Sequence, residues 1–246
     1  MCTLVLLRRP GHAWPILVAA NRDEMAGRPW KAPARHWPDR PEVTAGLDEL
    51  AQGSWLGVND HGVMAAILNR VGTLGPAAGK RSRGELVLDA LDHADAVQAA
   101  DALADLDGRA WRPFNMVVAD NRDAFWIKSE GDGRVLVHEI PPGLHMISAM
   151  DLDDLASPRL AAYLPRFHAA TPPDADADDW REWQALMADG GGGQDGEENA
   201  AMCFCRPTGF GTVSSSLIGL SSDNTHHPWL WLFADAAPSS APYTRI

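Results

Sequence analysis

No apolar run in this chain reaches the roughly 18 residues that a membrane-spanning helix needs. The start also lacks the order of a secretory signal, because Arg8-Arg9 follows the apolar run Thr3–Leu7 instead of preceding it. A twin-arginine reading of that pair fails at Pro10-Gly11 and at the polar tetrad further on, which break any apolar segment. Bases are scarce: 21 Lys and Arg stand against 33 Asp and Glu, a net charge of -12. That balance argues against nucleic acid and anionic membrane surfaces as partners. Cysteine is scarcer still, with only 3, at positions 2, 203 and 205. An odd count without disulfide spacing suits a reducing cytoplasm, which is the expected location. Cys203 and Cys205 alone are too few ligands for a metal site, and they are expected to be core thiols on one face of a strand. There is no Lys-Ser/Thr after Gly190–Gly193 to make a phosphate loop, no C-x-x-C-H for haem attachment and no internal repeat. No metal and no cofactor are therefore expected.

What is present is a large apolar fraction, 46% of 246 residues, enough for one sizeable core in a single domain spanning 1–246. Short β-rich runs separated by turn residues predict strands at 3–7, 15–20, 43–46, 54–58 and 63–68. Arg28 to Pro41 reads as an ordered loop anchored by Trp30 and Trp37. Ser82 to Leu106 predicts a helix, or two broken near His93-Ala94, with Ser82 and Glu85 as a capping box and Val97 on the apolar face. Further strands are predicted at 115–119, 124–128, 134–138, 143–148, 202–205, 212–220 and 229–233, with helices at 157–167 and 178–188. The order β, α, β, α, β implies an α+β fold with helices on the outer faces of its sheets.

The chemistry concentrates near the start. Cys2 follows the initiator Met1 and becomes the terminal residue once that Met is trimmed, which a small second residue permits. One residue then carries a thiol and a free α-amine whose pKa is about 7.7–8.0. The amine can take the thiol proton, and the thiolate is the nucleophile. Two antiparallel strands joined at Pro10-Gly11-His12 bring Cys2 beside the tetrad Asn21-Arg22-Asp23-Glu24.

Met1-Cys2-Thr3 with Asn21-Arg22-Asp23-Glu24 resembles the NRDE family, also called the transport and Golgi organization 2 family. Gly53-Ser54-Trp55-Leu56-Gly57 through Gly62 and Leu68-Asn69, then Arg81-Ser82-Arg83-Gly84, Phe114-Asn115 and Phe210-Gly211-Thr212, resemble its later landmarks. The family is in turn similar to N-terminal-nucleophile (Ntn) hydrolases of the choloylglycine hydrolase and penicillin V acylase branch. That resemblance implies a four-layer αββα sandwich. It implies Asn69 as a donor to a tetrahedral oxyanion and Asp23 as the acid touching the nucleophile's amine. Arg22 lies near that branch's arginine, out of clean register. Two positions depart: Ala149 stands where the family commonly has Asn, and Val213 where it commonly has Arg. Loss of one oxyanion donor costs about 2.7–4 kcal/mol of transition-state stabilisation, so partners come from elsewhere or turnover is weak.

Three readings from different classes follow. The first is an Ntn cysteine hydrolase cleaving an amide of a small acylated substrate. Cys2, Asp23, Asn69 and Arg22 are its catalytic set, and Asn21, Glu24, Arg70 and Trp30 are its substrate-binding set. Arg22 or Arg70 would bind a carboxylate or polarise the site, and the Trp-rich loops with Trp30, Trp37 and Trp55 would cover an acyl chain. The second is a carrier for haem, lipid or acyl-coenzyme A on the same fold, a role that the family resemblance implies; His226-His227-Pro228 is the densest histidine cluster. A structural or interaction module with an inert Cys2 is the third. The partner in either of the first two cases is a small acyl or haem-like ligand. Oligomeric state is not legible in the sequence.

Overall fold

The computed structural model describes residues 2–191, 200–223 and 228–246. Its architecture follows from strands that are apolar on both faces. β1 (Thr3–Arg8) and β2 (Ile16–Met25) pair antiparallel through the turn at Gly11, where φ is +83°. Further along the chain come β3 (Trp30–Ala34), β4 (Val43–Asp48), β5 (Leu56–Asn59) and β6 (Met64–Asn69). Helices α1 (Gly84–Leu91) and α2 (Ala96–Ala104) lead into β7 (Phe114–Ala119), β8 (Ala124–Ser129), β9 (Leu136–Glu139) and β10 (Gly143–Ile147). After α3 (Pro158–Ala169) and α4 (Arg181–Met187), the chain ends in β11 (Phe210–Leu220), β12 (Trp229–Ala234) and β13 (Thr244–Arg245).

Among the described residues, the strands form two antiparallel sheets. One has six strands in the order β10-β1-β2-β11-β12-β13, and the other seven in the order β3-β4-β5-β6-β7-β8-β9. Strand alternation sorts their side chains into three cores. Leu4, Leu6 and Val18 meet Leu56, Met64 and Val117 between the sheets. Ala65, Val118 and Ile127 face Leu86, Leu88 and Leu103 of α1 and α2. Val5, Leu17 and Leu217 face Leu160, Phe167 and Trp183 of α3 and α4. The result is the four-layer αββα sandwich. Each such buried Leu, Ile or Phe contributes about 1.5–3 kcal/mol.

Several local expectations differ from what is seen. The tetrad does not leave the sheet after residue 20: β2 runs on to Met25 because β11 pairs with it along its whole length. Trp30 begins a strand inside the stretch expected to be a loop. The helical stretch is two helices, but the capping box does not form. Arg83 is the N-cap, and Glu85 bonds instead to the Trp111 indole and to Arg81. Val97 is 42% exposed rather than on the apolar face. Residues 202–205 are not a strand, and Cys205 makes only an isolated bridge to Gly211. Cys203 is buried and Cys205 exposed, so the two do not share a face. Met1, Gly192-Gly193, His226 and His227 lie outside the described residues. Among the described residues, no helix is long and apolar enough to cross a membrane.

Candidate active site

The register of the first hairpin builds the site. Thr3 pairs with Asn21 and Leu4 with Ala20, so Cys2 stands across from the Arg22–Asp23 backbone. The Cys2 thiol donates to the Asp23 carbonyl at 3.6 Å, and the Asp23 N–H donates to the Cys2 Sγ at 3.3 Å. Side chains alternate from there. Leu4 and Ala20 belong to the inter-sheet core, and Cys2 packs against the same core. Arg22 shares that side, against Trp55 and Trp30. Thr3, Asn21 and Asp23 face the α3–α4 layer, as their partners there show.

Asp23 is the centre of the outer group. Its carboxylate accepts from the Thr212 hydroxyl at 2.8 Å and from Arg159 Nη1 at 3.0 Å, the latter an ion pair whose carboxylate side is fully buried. Arg159 Nη1 also donates to Thr3 Oγ1 at 2.7 Å. Arg159 sits in the first turn of α3, where Ser157 accepts from the Leu160 N–H and Pro158 opens the helix. The sequence reading missed Arg159. The Ser-Pro helix start was legible, but nothing local says that this turn meets the first hairpin.

The inner group lines a cleft between the sheets. Cys2, Arg22, Ser214 and Ser216 are its polar residues beside Asn21 and Thr3, and Leu4, Trp55, Leu56, Ala66 and Leu68 supply much of its apolar wall. Its free space is about 340 Å³, part of it open to solvent. Arg22 lies with its guanidinium carbon 3.9 Å from the centre of the Trp55 ring and 5.6 Å from that of Trp30. Gly46 makes this possible, because a Cβ there would meet the Trp55 ring at 2.3 Å. Burial lowers the pKa of the Arg22 guanidinium, opposed by the charges of Cys2, Glu24 and Asp48. Burial, then the Asp23 charge, pushes the Cys2 thiol up, while the Asp23 backbone hydrogen bond and Arg22 pull it down.

The remaining expected residues are placed as follows. Asn21 donates to the Met187 and Met202 carbonyls, tying β2 to the outer layer. Glu24 folds back on the Met25 N–H and faces Arg28 at 3.7 Å. Trp30 packs edge-on against Trp55 and Phe233. Asn69 follows the cleft residue Leu68 and donates weakly to the Arg70 carbonyl at 3.4 Å, with the strand parity of Ile67 rather than of Leu68. Arg70 is engaged elsewhere, by Asn115 at 2.7 Å, Asp151 at 2.8 Å and Glu130 at 2.9 Å. Ala149 is buried, and its carbonyl accepts from Val71. Val213 falls at a β-bulge between Thr212 and Ser214, which turns both Ser214 and Ser216 toward the cleft. Trp37 anchors the outer helical layer rather than the cleft. Among the described residues no cluster of His, Cys, Asp and Glu fits a metal ion, and the densest histidine cluster, His226-His227, lies outside them.

A family described as Transport and Golgi organisation 2 matches residues 1–188. The Transport and Golgi organization protein 2 homolog of Bos taurus is 35% identical over 121 residues, 44% of this chain and 40% of that protein. The Homo sapiens homolog is 34% identical over 115 residues, with the same coverage. The matched region is thus well under half the length of these relatives. Among solved structures, a Caenorhabditis elegans N-acylethanolamine-hydrolyzing acid amidase ortholog aligns with a TM-score of 0.59 at 12% identity, covering 93% of this chain and 98% of that one. A penicillin V acylase from Agrobacterium tumefaciens aligns at 0.51 and 12%, covering 96% and 83%. A conjugated bile acid hydrolase from Clostridium perfringens aligns at 0.54 and 9%, covering 100% and 96%. At such identities the likeness shows a shared fold.

Proposed function

The chain belongs to the Transport and Golgi organisation 2 family, and from that premise and the cleft geometry we propose that it is an N-terminal-cysteine hydrolase acting on an amide of a small acylated substrate. The observation that carries the reading is Cys2 itself. Its thiol lines an inter-sheet cleft, held by both backbone groups of Asp23, beside a buried cation. The named activities of structures that share the fold, an acid amidase and a penicillin V acylase, support the same reaction class.

In this mechanism Met1 is removed and the Cys2 α-amine becomes the base. The amine takes the thiol proton, and the sulfur attacks the amide carbonyl. The tetrahedral oxyanion collapses as the amine returns its proton to the leaving nitrogen, which departs as an amine. A thioester remains on Cys2. Water, deprotonated by the same amine, then releases the acid and restores the thiol. The Asp23–Arg159 pair holds the end of the first hairpin in register for this step. A backbone N–H at the cleft is the oxyanion donor of this reading, and Asn69 joins it once its amide turns from the Arg70 carbonyl.

The test is turnover of short N-acyl amides by three forms: the protein beginning at Cys2, its Cys2→Ala variant, and a form with one residue kept ahead of Cys2. Activity in the first alone is the expected result. Activity that survives in either of the other two overturns the reading.

A further inference from the structure

We infer that the cleft carries a carboxylate subsite centred on Arg22, and that its substrate is an N-acyl α-amino acid rather than a neutral N-acyl amide. This rests on the hydrolase reading above and names the substrate class of the same site.

Arg22 is 6% exposed, and among the described residues its Nη1 has no hydrogen-bond partner. The nearest carboxylate is Asp48, 4.0 Å from the Nη2. That carboxylate is already engaged by Arg28 Nε at 2.7 Å and by the Leu50 and Ala51 N–H groups. The stacked indoles satisfy the faces of the guanidinium but not its N–H edge. A buried cation with an open N–H is costly unless an anion completes it. The open group belongs to a residue that lines the cleft.

The surroundings fit a carboxylate oxygen. Ser214 pairs with Arg22 across the strands, and Ser216 lies two residues on. Both line the cleft and are buried, and among the described residues no hydrogen bond engages either hydroxyl. Arg22, Ser214 and Ser216 thus line the same cleft as Leu56, Ala66 and Leu68. Spacing then selects the substrate. Cys2 precedes the Thr3–Asn21 pair and bonds to the Asp23 backbone, so it stands beside Arg22 at the end of the first hairpin. In an N-acyl α-amino acid, one carbon separates the carboxylate from the scissile nitrogen. With the carboxylate on Arg22, the scissile carbonyl reaches the Cys2 sulfur and the acyl chain points to the apolar wall.

The test uses Cys2→Ala, so binding is read without turnover. Calorimetry compares N-hexanoylglycine with its neutral counterpart N-hexanoylglycinamide. The carboxylate is expected to bind about ten- to a hundredfold tighter, the range of a hydrogen bond to a charged group. Arg22→Met in the same background is expected to abolish that preference and Arg22→Lys to keep part of it. Equal affinities for the two ligands, no binding of either, or a preference that survives Arg22→Met overturns the inference. The two readings fail separately. Arg22-dependent binding with no hydrolysis by the unmodified thiol sinks the hydrolase alone. Equal hydrolysis of both ligands sinks the subsite alone.

Discussion

Arg159 shows what one side chain does here and what a sequence hides. It reaches across 136 positions to Asp23 and also holds Thr3, so three separate segments meet at one guanidinium. Arg159→Met leaves the buried Asp23 carboxylate without that cation and is expected to destabilise the fold by about 3–5 kcal/mol, read by urea denaturation. Adding Asp23→Asn to that variant is expected to recover part of the loss. The Cys2 thiol offers a second residue-level check. Its pKa is raised by burial and by Asp23, so the neutral thiol is the favoured form in the folded state. Iodoacetamide labelling of Cys2 in the folded protein is therefore expected to reach half its maximal rate at a higher pH than in the urea-unfolded chain. The stability that this raised pKa adds is present below the unfolded value and is lost as pH rises through the folded one. Arg22→Met removes a lowering influence and moves the labelling curve higher still. The adjacency of Cys2 and the tetrad was legible, because hairpin register follows from strand length and turn. Which tetrad members face inward was not, because that parity depends on where pairing starts.

At the scale of elements, polarity misled where pairing decided. Asn21 to Glu24 looked like chain leaving a sheet, yet β11 flanks them and keeps them extended. The run 202–205 looked like a strand, yet only one isolated bridge forms there. Backbone hydrogen-bond partners outrank local propensity in both cases. The resemblance's glycine-bearing landmarks have a packing reason of the same kind. A Cβ on Gly53 would lie 2.5 Å from the Gly84 carbonyl carbon, where β5's approach meets α1, and the Ser54 N–H donates to the Gly84 carbonyl at 3.0 Å. Gly46 does the same for Trp55. Gly46→Ala forces the indole off β4 and is expected to cost about 1–3 kcal/mol, as overpacked cores do. A lower melting temperature with altered tryptophan fluorescence is the expected readout, and unchanged values contradict the cradle.

For the whole molecule, the layer order was readable from the alternation of β and α segments, because both faces of each sheet need cover. The joints between layers were not. Asn115 is one such joint. Its amide donates to the Ser148 carbonyl at 3.0 Å and the Met150 carbonyl at 2.7 Å, beyond β10 of the other sheet. Its oxygen accepts from Arg70 and from the Trp126 indole. Asn115→Ala is expected to destabilise the sandwich by about 1–3 kcal/mol for each polar group left unsatisfied, seen as a shifted denaturation midpoint. The same joint lies at the end of the sandwich where Ala149 replaces the expected Asn, so scaffold and chemistry are read separately there. The central claim is covalent, and intact-mass spectrometry tests it most directly. The protein beginning at Cys2, mixed with N-hexanoylglycine and quenched in acid, is expected to gain one hexanoyl group mapped to Cys2. An acyl group on any other residue, or its appearance on Cys2→Ala, would contradict the account.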